Sequence, residues 1–154
     1  MSFIVSGLPV ETFAPLFGLD DTALADRGAV RVVADEGRYP CRVGLDYARH
    51  GQSLLLLNYQ HQDAASPYRS NYAIYVNEAS REMRRLQDEL PPVLRGRQIS
   101  LRAFDAAGML VDAELSLNDD VEAAIARQFA IPIVAYIHAH NAAAGCFAAR
   151  IDRA

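Results

Sequence analysis

The chain has 154 residues, 51% hydrophobic and 22% charged, an ordinary balance for one soluble domain with a sizeable core. Its formal net charge of -4 argues against a nucleic-acid partner, which would call for a basic patch, and all 15 of its basic residues are arginine. The absence of lysine excludes Schiff-base and lysine general-base chemistry.

The opening MSFIVSGLPV has no basic n-region and no long apolar stretch, and the longest aliphatic run, residues 54–57, is too short to span a bilayer. A cytoplasmic protein with no membrane partner is expected. Two cysteines are too few for a secreted disulfide scaffold and read as reduced thiols. Residues 8–28 read as helical pieces: Pro9 and Pro15 interrupt the first part, and Asp20 or Asp21 caps a short helix through Leu24 that stops at Gly28. Alternation through Val30 and Val32 predicts a strand over 29–34, turned by Asp35-Glu36-Gly37, with a second strand near 41–45.

Four consecutive leucines predict a strand over 53–59 buried on both faces and central in its sheet. Asn58, Tyr59 and His61 lie at its exit, and the polar stretch 60–70, with Pro67, forms a loop before a strand at 72–76. Asn77 or Ser80 starts a helix over about 79–90, in which Met83, Leu86 and Leu90 recur at helical spacing until Pro91-Pro92 stops it. Residues 98–104 and 109–115 form a hairpin across 105–108. Asn118 caps a last helix near 119–130, with Asp119 and Asp120 at its positive end and Val121, Ile125 and Phe129 as its buried stripe.

The final hairpin, 134–151, gathers most of the reactive side chains. Successive strand residues face opposite ways, so Ile133, Ala135, Ile137 and Ala139 form an apolar row and Val134, Tyr136, His138 and His140 form the other. Further on, Phe147, Ala149 and Ile151 are apolar, which leaves Cys146, Ala148 and Arg150 opposite. If both apolar rows share one core, His140 pairs with Cys146 around a loop over 141–145, bringing imidazole and thiol within about 5 Å at Cβ. Strands outnumber helices and no regular β-helix-β alternation appears. The expected fold class is therefore α+β, a single domain over 1–154 with a largely antiparallel sheet and two to three flanking helices.

The strings PCRV at 40–43, LLLNYQHQ at 55–62, SPYRS at 66–70, LRAFDAAGMLVDAE at 101–114 and YIHAHNAAAGCFAAR at 136–150 resemble the family known as domain of unknown function 1203. The resemblance spans nearly the whole chain and implies no activity, so the chemistry rests on the residues.

Three chemistries compete. The preferred one is a small-molecule site for an anion, in which Arg42, Asn58, Tyr59, His61, Tyr68, Arg69, His138, Asn141 and Arg150 supply planar forks, rings and amides if the 58–69 segment meets the hairpin. The second is an enzyme in which His140 draws the proton from Cys146, oriented by Asn141 or Asn58. The third is a metal site on His138, His140 and Cys146, joined by His61 or Cys41, for which zinc is the ion; hydrogen-bonded histidines are the favoured alternative. A structural or protein-interaction domain stands beside these.

Overall fold

Alternating apolar residues and well-placed turns build two antiparallel sheets. The computed structural model describes residues 1–117 and 120–154. The smaller sheet contains β2 (Ala29–Val33), β3 (Ser53–Gln62) and β4 (Ser70–Asn77), with β3 in the middle. The larger contains β1 (Phe3–Ser6), β5 (Arg85–Gln87), β6 (Ile99–Phe104), β7 (Leu110–Ser116), β8 (Tyr136–Asn141) and β9 (Phe147–Arg153), in the order β5-β1-β9-β8-β6-β7. Among the described residues two α-helices accompany them, α1 (Asp21–Ala25) and α2 (Val121–Phe129). Among the described residues no helix is long and apolar enough to cross a membrane.

Helix α2 sets one side of the larger sheet. Its stripe Val121, Ile125 and Phe129 is buried against Leu101, Ala103, Ile137, Ala139 and Ile151, the inward rows of β6, β8 and β9. The opposite rows, carrying Arg102, Phe104, Tyr136, His138 and His140, therefore face away from α2. On that side a second cluster joins Phe147 of β9 to Ile74 and Val76 of β4 and to Leu8, Val10 and Phe13, with Leu57 and Tyr59 of β3 against it. The candidate site is thus walled by both sheets.

The short helix at 21–25 is capped as expected, Asp20 Oδ1 accepting from the Ala23 amide at 2.8 Å. The 98–104 and 109–115 hairpin and the buried stripe of α2 are also present. The expected cap at Asn118 and first-turn Asp119 fall outside the described residues, and Asp120 accepts from Arg127 at 2.6 Å instead of capping.

Three expectations are corrected. The helix over 79–90 does not form: Asn77 Oδ1 holds the Ala79 amide at 2.9 Å in a single turn, after which Arg85, Leu86 and Gln87 pair with Ser6, Val5 and Ile4. The helical spacing of Met83, Leu86 and Leu90 was outweighed by β1, a strand at the N-terminus that offers ladder bonds to this segment. Residues 41–45 are a turn, with Leu45 at φ 54 and its amide donating to the Cys41 carbonyl at 3.0 Å. Of the four leucines, Leu54 and Leu55 are fully buried, Leu54 among Ala34, Ala48, Tyr39 and Tyr75, whereas Leu56 and Leu57 are only partly so.

Candidate metal centre

Two β-bulges shape the site. In the final hairpin Ile137 pairs with Ile151 and Ala139 with Ala149, and the register then shifts so that His140 faces Phe147. Ala148 is the extra residue, and it joins Ala149 in the α2-side core. Parity flips there, turning Phe147 to the histidine face. The expected pairing of His140 with Cys146 is therefore not the one formed, and Phe147 does not lie on the Ile151 side.

The second bulge interrupts β3 between Tyr59, opposite Tyr72, and Gln62, opposite Ser70. It allows consecutive residues to point inward. Gln62 is 2% exposed and exchanges hydrogen bonds with the Tyr136 hydroxyl at 2.9 and 3.0 Å. His61 stacks on Phe147, with ring centroids 5.4 Å apart and planes 8° apart, and meets His140 edge-on at 5.0 Å. The segment leaving the smaller sheet and the final hairpin thus converge, and His61 of one sheet reaches His138 and His140 of the other.

One nitrogen from each of the three imidazoles lies within 4.8 Å of the others. In a tetrahedral complex with bonds of about 2.0 to 2.1 Å the ligand nitrogens stand about 3.4 Å apart, so small ring rotations close the trio around an ion. His138 and His140 are buried, at 2% and 1% exposure. A carbonyl can only accept, so the 2.9 Å contact of His140 Nδ1 with the Gly145 carbonyl puts the proton on Nδ1 and leaves the Nε2 lone pair free. Among the described residues the Nδ1 atoms of His61 and His138 are buried without any hydrogen-bond partner. The alternative of satisfied histidines thus describes His140 and not the other two.

Burial keeps all three rings neutral. It lowers His61 to about 4, with help from the charge of Arg102. His140 is also pushed down to about 4 by burial, against the opposing bond to Gly145. His138 lies lower still, through burial first and then the neighbouring His140, Arg150 and His61. Near neutral pH a metal ion would therefore meet no competition from protons at these rings.

Two clefts open onto the trio. One, of about 380 Å³, is lined by His61, His140, Arg102, Tyr68, Arg69 and Phe104. The other, of about 300 Å³, is reached past Tyr59, Asp63, His138 and Arg150. Arg69 donates to the Gln60 carboxamide oxygen at 3.0 and 3.2 Å once that amide is oriented to suit its neighbours. Tyr68 sets its edge toward Phe104 at 6.2 Å. Arg150 lies 4.0 Å over the Tyr136 ring and is neutralised by a two-pronged contact with Asp152.

The remaining candidates lie elsewhere. Asn58 is exposed and donates to Asn71 at 3.4 Å, on the outer row of β3. Cys41 is buried among apolar residues, its sulfur accepting from the Asn77 and Gly44 amides. Arg42, Asn141 and Cys146 border a further cleft, of about 540 Å³, around the turn of the final hairpin. There Arg42 is 2% exposed, donates to the Phe147 carbonyl at 2.7 Å and reaches Cys146 Sγ at 3.2 Å, while Asn141 Nδ2 reaches the same sulfur at 3.1 Å. That cleft and the histidine trio are thus separate, and the trio carries the clearer chemistry because its donors already converge.

Arg102 is the functional candidate that sequence reasoning missed. It alternates with Leu101 and Ala103, a pattern that reads as a solvated outer row, and only the second sheet, covering that face, turns it inward.

A family model described as "Protein of unknown function (DUF1203)" matches residues 38–153. No curated protein matches, and no solved structure does.

Proposed function

We propose that this chain, which belongs to the DUF1203 family, holds one divalent transition-metal ion on His61, His138 and His140 and offers the ion's remaining positions to a small molecule entering between the sheets. The observation that supports this reading is the meeting of three neutral imidazoles from two sheets, two buried and His61 half-buried, with an orphan nitrogen on His61 and on His138. Leaving a buried polar atom unpaired costs about 1 to 3 kcal/mol, and two such atoms in one cluster are a strain that a bound ion would relieve.

The donor set narrows the ion. Three imidazoles suit zinc, iron or copper and not calcium or magnesium, which prefer oxygen. Three protein ligands leave at least one position open, as in catalytic rather than structural zinc sites. Such an ion supplies a Lewis acid and a bound water of lowered pKa. The stacked Phe147 and the Gly145 carbonyl hold the His61 and His140 rings in place. The two free cysteines suit a reducing compartment such as the cytoplasm.

Elemental analysis of protein purified without an affinity tag tests the reading. About one equivalent of metal is expected, lost in the His138→Ala and His140→Ala variants and weakened in His61→Ala, with folding checked by circular dichroism. Metal that survives all three substitutions, or wild-type protein that takes up neither zinc nor cobalt, would refute it.

A further inference from the structure

We infer that the molecule completing this centre is an anion, carrying a carboxylate or phosphate group held between the metal ion and the guanidinium of Arg102. The inference rests on the metal reading above and deepens it by assigning the ligand class.

Arg102 stands directly opposite His138 across the β6–β8 ladder, which brings their Cβ atoms to about 5 Å and both side chains onto the face between the sheets. It shares the 380 Å³ cleft with His61 and His140. The guanidinium is partly desolvated, and among the described residues it has neither an ion pair nor a hydrogen bond. A cation stripped of water and given no acceptor is an unfinished contact.

Charge balance points the same way. The trio is uncharged, so a divalent ion there would keep its full charge, and Arg102 adds another. Among the described residues no carboxylate lines this cleft, and the nearby Arg150 is already answered by Asp152. A partly buried site in which a divalent ion and Arg102, with Arg69 at the mouth, outweigh Asp63 in the other cleft favours an anionic ligand by its field alone. A planar guanidinium is shaped to grip two oxygens of a carboxylate or phosphate while a third contact goes to the metal. Tyr68 and Arg69 at the mouth supply further donors. The cleft volume suits a small metabolite-sized group.

Cobalt-loaded protein provides the test, because the visible absorption of cobalt reports its coordination. Titrating it with inorganic phosphate and, separately, with acetate should give a saturable spectral change, and the anion with the tighter curve identifies the group. Arg102→Gln should keep one equivalent of cobalt but bind the preferred anion about tenfold or more weakly, with Arg102→Lys intermediate. Cobalt bound at one equivalent with a spectrum indifferent to both anions, or an Arg102→Gln variant as tight as wild type, overturns the anion assignment and leaves the metal reading intact. Failure to bind cobalt overturns both.

Discussion

At the level of single residues, the site is governed by the cost of charging a buried imidazole. His61 and His140 titrate near 4 and His138 lower, whereas an unfolded histidine titrates near 6.5. A depressed folded-state pKa contributes stability that is complete above the unfolded value and is lost as pH falls from about 6.5 toward 4. Each of the three should cost about 1.4 kcal/mol per pH unit in that window. Glu78, held near 2 chiefly by Arg31, adds its own loss only below the ordinary carboxylate range. Thermal unfolding of metal-stripped protein between pH 8 and 5 should therefore show a plateau and then a decline, about a third shallower in His138→Gln. A flat profile would mean the rings are not held neutral by burial. At this scale the sequence was informative about His138 and His140, since a polar row opposite an apolar one is visible in the string. It was silent on Arg102, because the same alternation describes an arginine facing water and one facing a second sheet.

Among the elements, bulges decide what parity cannot. Two-residue alternation correctly placed His138 and His140 on one face and Ile137 and Ala139 on the other, but it cannot foresee the extra Ala148 that swings Phe147 over to the histidines. Nor can it foresee that His61 and Gln62 both turn inward. The β6–β7 hairpin shows how tightly such elements are fitted. Gly108, at φ +77 in its turn, lies so close to the 63–69 segment that an added Cβ would stand 2.3 Å from Ala64 Cβ. Its carbonyl accepts from Ser66 at 2.9 Å. Gly108→Ala should cost about 1 to 3 kcal/mol through overlap and backbone strain, as read by denaturant unfolding. The same change should weaken anion binding by displacing Tyr68 and Arg69, while one equivalent of metal is retained. An unaltered anion titration would show that the turn does not position the cleft.

Over the whole molecule, the α+β class and the antiparallel pairing were legible in strand-length runs and turn residues, and the partition into two sheets was not. Nothing local in Leu54 or Leu55 says which strands will flank them or which face the other sheet will cover. The helix expected over 79–90 failed for the same reason: its fate was set by pairing with residues 4–6, most of the small N-terminal strand. Long-range pairing also determines when the centre exists. His61 and His138 stand half the chain apart, on strands that meet only when the sheets dock. Contacts between elements so distant in sequence tend to be consolidated late, after the costly loop closure is complete. An ion gripping both sheets must be released before they separate, yet while they assemble it has only His138 and His140 of β8 to grip. Saturating zinc should therefore slow unfolding in proportion to its affinity and leave the refolding rate nearly unchanged, a pattern that stopped-flow chevrons resolve directly. Equal movement of both limbs would place the histidine contacts inside the folding nucleus. The bridge between sheets would thus act as a kinetic lock, prolonging the lifetime of the finished protein without hastening its formation.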